Sequence, residues 1–220
     1  MELKQAILTR RSVRGFLDRP VSKEIIEDIL RTATRAVSAN NTRPWEFAVM
    51  TGDVMKKVAA DNMAHFERGE AEDFPDIPFE GVYRKRQVDV AKQQLFGAMD
   101  IERGDKEKRH WWMGRGFRFF DAPAAIILMM DASLDESTCR FDVGCVAQNI
   151  CLAAMEHGLG TCVEDQAIMY QTGLREILRI PEDKRFVSGI AIGYADPEFP
   201  ANGVISERAD IDEITSWYGF

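Results

Sequence analysis

Thr9-Arg10-Arg11-Ser12-Val13-Arg14-Gly15-Phe16 places three guanidiniums and two hydroxyls within six residues. Ahead of it, Leu3, Ala6 and Ile7 share one face at helical spacing, so Glu2 to Thr9 reads as a short amphipathic helix. The stretch itself reads as extended chain, which Pro20 and Ser22 end before the next helix. Guanidiniums present planar, paired donors that match phosphate oxygens, and a hydroxyl between them adds another donor. Alternate side chains of an extended chain point the same way, so Arg10, Ser12 and Arg14 can converge on one anion while Arg11 points elsewhere. A solvated basic turn would carry the same residues.

The remaining composition limits the partners. The chain has 220 residues and a net charge of −8, with no long basic run. Nucleic acid is therefore not the expected partner, because phosphate neutralisation dominates such binding. One small anion in a local basic pocket stays compatible. The start is charged and lacks an apolar leader, and the longest apolar run, Ala122 to Met130, is strand-sized. A soluble, cytoplasmic protein without membrane attachment is expected. Cys139, Cys145, Cys151 and Cys162 form no Cys-x-x-Cys pair and are expected to be reduced. His65, His110 and His157 are far apart, so no metal site is expected.

Outward from the basic stretch, Ser22 is the N-cap of a predicted helix through Val37, with Ile25, Ile26, Ile29, Leu30, Ala33 and Val37 on its core face. Ser38-Ala39-Asn40-Asn41-Thr42-Arg43-Pro44-Trp45 then leads into a predicted strand, Glu46 to Met50. Small and amide side chains let backbone approach a ligand, and they also suit a plain helix-to-strand connection. Thr51 can cap a helix at about Asp53 to Asn62. Between about 64 and 120 the chain looks like an excursion from the core, charged around Pro75 and Pro78 and helical from Val82 to Met99. There Arg84, Arg86, Arg109, Arg115 and Arg118 accompany Trp111, Trp112, Phe117, Phe119 and Phe120. Such residues could line a pocket for a flat anionic acceptor, or form an interface or an ordinary amphipathic helix.

Ala124 to Met130 reads as a central strand. Asp142 to His157 reads as a helix with Gln148 and Asn149 inside it; Gln148 could reach a ligand or tie helix to loop. Gly158 ends that helix, and Gly160-Thr161-Cys162-Val163-Glu164-Asp165 follows as a short strand or turn. Tyr170 to Leu178 is a predicted helix and Phe186 to Tyr194 a further strand. The tail carries Arg208 and an apolar set at Ile211, Ile214, Trp217 and Tyr218. Helices mixed with a few apolar strands make an α+β or α/β domain, without a Rossmann or P-loop signature.

Taken in order, Arg-Arg-Ser-x-Arg-x-Phe, Ser-Ala-Asn-Asn-Thr-Arg-Pro-Trp, Gly-Leu-Gly-Thr-Cys after a Gln-Asn helix, and Ile-Ala-Ile-Gly-Tyr-Ala-Asp resemble the FMN-dependent nitroreductase family. The resemblance spans essentially the whole chain, and the excursion resembles the nitrobenzoate-reductase branch. It implies an α+β nitroreductase-like fold: one domain over 1–220, a mixed or antiparallel sheet flanked by helices, and an intertwined homodimer. It implies FMN as cofactor and NADH or NADPH as donor. A flat aromatic acceptor would be reduced in ping-pong fashion, the chemistry lying at flavin N5 with no catalytic side chain. Carried over by motif, Arg10, Arg11, Ser12 and Arg14 would form the phosphate end, with Arg208 beside them. Val37, Ser38, Ala39 and Asn41 would come from the partner subunit. Gln148, Cys162, Val163, Glu164 and Asp165 would lie about the ring, with the Asp165 amide facing N5. Enones, quinones or halogenated phenols are alternative acceptors, and a flavin-binding regulatory dimer is the non-enzymatic alternative.

Overall fold

The computed structural model of the chain describes residues 2–73 and 78–220. Pro75, part of the charged stretch noted above, lies outside the described residues. Helix α1 (Leu3–Thr9) leads into the extended basic segment. Helix α2 (Lys23–Ala33) starts as read, with Ser22 accepting from the Ile25 amide. It stops at Thr34 rather than Val37. Val37 keeps the apolar period but is exposed, since the chain has already turned away.

Strand β1 (Trp45–Thr51) runs directly into α3 (Gly52–Arg68), which is longer than the predicted helix. Helix α4 (Gly81–Val88), wider turns over Asp89–Leu95 and α5 (Phe96–Ala98) follow. Then come α6 (Lys106–Phe117), β2 (Ala124–Asp131) and α7 (Glu136–Glu156), which begins six residues before Asp142 because Asp135 caps it through the Thr138 amide. Strand β3 (Gly160–Glu164), α8 (Gln171–Leu178), β4 (Lys184–Gly193) and the short α9 (Ile211–Ile214) complete the order.

The four strands pair in the order β1-β2-β4-β3, every pair antiparallel. The unbroken apolar run of β2 is explained by two covered faces. Ile126 and Leu128 point into a core shared with α2 and α7 through Ile29, Val146 and Ile150. Ala125, Ile127 and Met129 point into a second core with Met55, Val58, Ile168 and Leu174. Gly158, at φ +68°, closes α7 with amide bonds from Gly158 to Met155 and from Leu159 to Ala154. That turn feeds β3 into the sheet edge.

No helix among the described residues is long and apolar enough to cross a membrane. All four cysteines are free. Leu128 is almost wholly buried at the centre of the sheet. We expect Leu128→Ala to lose about 2–5 kcal/mol of unfolding free energy. Urea denaturation at constant pH checks this, and a loss below 1 kcal/mol would contradict the two-faced core.

Candidate active site

The basic segment leaves α1 and runs along the free edge of β3. Ser12 bridges Thr161 in parallel, with the Val13 amide donating to the Thr161 carbonyl at 2.9 Å; Phe16 bridges Ala195 further on. The alternation read from sequence holds. Val13 and Gly15 are buried, whereas Arg10, Ser12 and Arg14 keep partial exposure and Arg11 is exposed. Gly160 permits this docking, since a Cβ there would lie 2.4 Å from Val13 Cγ2.

Thr9, Arg10, Arg11, Val13, Met155 and Thr161 line an open cavity of about 260 Å³. Among the described residues no carboxylate pairs with Arg10, Arg11 or Arg14. The Arg14 guanidinium lies 5.9 Å from the centre of the Phe120 ring. In a chain with net charge −8, Arg10 and Arg11 at this cavity and Arg14 further along the same strand, none of them paired with a carboxylate, make a local basic patch. A larger cavity of about 660 Å³ opens between Phe16–Pro20 and the start of α3; of the excursion arginines Arg118 lines it, and none of the residues carried over by motif does.

Cys162 lies against this segment, within hydrogen-bond reach of Ser12, and burial pushes its thiol up to about 12. It is a neutral packing group rather than a nucleophile. Val163 is exposed on the opposite side of β3. The carboxyl of Glu164 turns inward: Oε2 accepts from the Ala167 amide at 3.1 Å, while Oε1 is buried without a partner. Burial pushes this group up to about 8, Asp165 adds repulsion, and the Ala167 and Gln166 amides pull it down. The Asp165 carboxylate turns outward and accepts from the Ser188 hydroxyl at 2.8 Å.

Several sequence expectations are corrected. Gln148 is exposed on α7 rather than buried; Asn149 is the amide that ties helix to loop, donating to the Ala33 carbonyl at 3.2 Å. Arg208 donates to the Ser206 and Glu207 carbonyls of its own tail. Phe117, Phe119 and Phe120 are core residues, not pocket lining. Arg115 is buried, Arg118 pairs with Asp121, Arg109 donates to the Arg103 carbonyl, and Arg84 is held by Gln87. These four arginines are therefore engaged by their own neighbours.

Val37, Ser38, Ala39 and Asn41 lie elsewhere. The Ala39 amide donates to buried Asp142 at 3.0 Å, and Asn40, Asn41 and Arg43 adopt positive φ. Asp142 and Cys151 sit at opposite borders of the buried stripe of α7, about 180° apart around the helix and about 14 Å apart along it. One chain thus holds the basic strand and the amide loop on different sides of α7. Gln148 sits two turns before the cavity-lining Met155, on the Cys151 border. Sequence reasoning missed Asp142 and Asn202, buried polar residues with partners remote in the chain, and read Arg115 as pocket lining although it is buried and bonds the Arg14 carbonyl.

The model of the nitroreductase family matches residues 7–194. The chain belongs to the nitroreductase family. Among curated relatives, this family member is 35% identical to the nitrobenzene nitroreductase of Ectopseudomonas oleovorans, over 96% of this chain and 94% of that protein. It is 30% identical to the 4-nitrobenzoate reductase of Pseudomonas putida, over 97% of this chain and 94% of that protein. The crystal structure of the FMN- and NADPH-dependent nitroreductase NfnB from Sphigopyxis sp. strain HMH superposes with a TM-score of 0.94 at 31% identity, covering 100% of both chains. The FMN-dependent NfnB from Mycobacterium smegmatis in complex with NADPH gives 0.90 at 30%, covering 99% and 100%.

Between pH 4.5 and about 8 the folded nitroreductase chain retains a proton on Glu164 that the unfolded chain gives up. Stability contributed by this group therefore falls as pH rises across that window and levels off above it. We expect the Tm of wild type to fall relative to that of Glu164→Gln between pH 5 and 8, with a constant gap above pH 9. A gap that does not change with pH would refute the buried, protonated carboxyl.

Proposed function

We propose that this chain is an FMN-dependent reductase that takes electrons from NADPH and reduces nitro groups on flat aromatic molecules. The observation that carries the reading is the set of uncompensated guanidiniums on the strand pinned to β3, Arg10 and Arg11 lining the cavity and Arg14 further along the strand. These groups fit a phosphate monoester. Arg10 and Arg14 can supply charge-assisted donors and Ser12 a neutral one on the same face, with Arg11 at the rim. When bound, the flavin supplies the two-electron chemistry that no side chain here offers.

In this reading Cys162, Val163, Glu164 and Asp165 border the ring, and Gln148 stands at the cavity margin. Val37, Ser38, Ala39 and Asn41 reach the ring of a second copy. A homodimer suits the side chains left exposed in one chain: Leu3, Ile7 and Leu8 on α1, Phe141 on α7, and Trp217, Tyr218 and Phe220 in the tail. Arg208 joins the phosphate only when the tail rearranges. The described part of the excursion over 64–120 forms the cover, anchored by the buried end of α6. A reducing compartment such as the cytoplasm suits the four free cysteines.

The acceptor we propose is neutral. Of the five excursion arginines named above, Arg84, Arg109, Arg115 and Arg118 are engaged by their neighbours, which weakens the reason to favour a carboxylated substrate.

Purified protein should carry a yellow flavin spectrum that bleaches on anaerobic titration with NADPH. Arg14→Ala should purify with much less flavin, and full occupancy in that variant would count against the phosphate assignment. In steady state, kcat/KM for nitrobenzene should equal or exceed that for p-nitrobenzoate. A clear preference for the carboxylate would restore an arginine to the acceptor pocket.

A further inference from the structure

We propose that Asn202 and Arg115 are positioning residues for Arg14: together they grip the Arg14–Gly15 backbone and fix the anion-binding face before its ligand arrives. The proposal rests on the phosphate assignment made above.

Asn202 is 4% exposed and uses its whole hydrogen-bonding capacity at this place. Its Oδ1 accepts from the Arg14 amide at 2.7 Å and the Gly15 amide at 3.1 Å. Its Nδ2 donates to the Gly15 carbonyl at 2.7 Å and the Asp196 carbonyl at 2.9 Å. A side chain near the C-terminal end of the fold therefore satisfies three backbone groups of one dipeptide near the N-terminus.

Arg115 holds the remaining one. It is 8% exposed, and its Nη2 donates to the Arg14 carbonyl at 2.8 Å and the Phe120 carbonyl at 3.0 Å. Its Nη1 donates to Asp121 at 2.9 Å. Burial lowers the Arg115 guanidinium from its ordinary range, with Asp121 opposing the shift. A buried charge is a costly way to fill space, and an apolar side chain would pack as well. What an apolar side chain cannot do is bond Arg14 and Phe120 at once.

Two further features close the grip. Phe199 lies over Gly15, where a Cβ would meet its ring atom Cγ at 2.1 Å, and Arg115 stacks on the same ring at 4.7 Å. Phe119, Phe120 and Asp121 all adopt positive φ, a run that persists only where its surroundings hold it. Arg115 bonds two of those three residues, and the Phe120 ring faces the Arg14 guanidinium. Fixing the backbone beforehand reduces the ordering cost that binding would otherwise carry.

The test compares FMN with riboflavin, which lacks the phosphate. The full-length chain is freed of flavin and titrated with each, following flavin fluorescence. Wild type should prefer FMN, and Arg14→Ala should sharply reduce the preference. Asn202→Ala and Arg115→Lys should each reduce the preference about tenfold through weaker FMN binding, with riboflavin binding unchanged. In the Arg14→Ala background neither change should have a further effect. Arg115→Lys keeps the charge but not the fork, so it serves where Asn202→Ala folds poorly. Equal loss of FMN and riboflavin would make the two residues merely structural and overturn the proposal. So would an intact preference in both variants while Arg14→Ala lowers it, which would leave the phosphate assignment standing. A wild type that binds both flavins equally would remove the phosphate assignment and the grip with it.

Discussion

One edge contact sets the geometry of the basic face. The Val13 amide bonds to the Thr161 carbonyl, and the Val13 side chain occupies the space that Gly160 leaves empty. Side chains alternate along an extended chain, so a slip of one residue would bury Arg10, Ser12 and Arg14 and expose Val13 and Gly15. No arrangement of guanidiniums would survive that slip. The same contact covers part of an edge strand that would otherwise present unpaired backbone groups. Register, edge protection and the orientation of the basic face thus share one cause.

The charge pattern follows the same local logic. The chain is acidic overall, yet its carboxylates pair with arginines elsewhere: Asp121 with Arg115 and Arg118, Glu136 with Arg140 and Arg185. Arg10, Arg11 and Arg14 stand outside those pairs, where an anion can meet undivided charge. Net charge steers weakly here, because a cluster a few ångströms from its ligand outweighs distant acids at physiological screening.

The parts of the fold legible in sequence were those set by neighbours in the chain. The continuous run of β2, the Ser22 cap, the Gly158 stop and the alternation of Arg10, Ser12 and Arg14 all depend on residues a few positions apart. The illegible parts depend on remote partners. Asn202 bonds to residues 188 and 187 positions away, and Asp142 to one 103 away. No periodicity marks such residues, and each resembles an ordinary surface polar group until the backbone surrounds it. The aromatic and arginine content near 109–120 misled for a related reason. Gly114 and Gly116 let α6 approach Met63 and Gln166 closely, so its C-terminal half becomes core instead of pocket wall.

Helix α7 sets how far apart the amide loop and the basic strand of one chain lie. Its buried stripe spans about half the helix circumference, with Asp142 at one border and Cys151 at the other. Asp142 holds the Ser38–Asn41 loop, whereas the Cys151 border, with Met155, faces the basic strand. A helix packed along such a wide stripe cannot rotate to bring both borders to one ligand, because rotation would expose Val143, Val146 and Ile150. The amide loop and the basic strand of one chain are therefore kept apart by the same packing that makes each of them rigid. Two copies related by symmetry can place the loop of one against the strand of the other without disturbing either core, which is the arrangement the proposed homodimer requires.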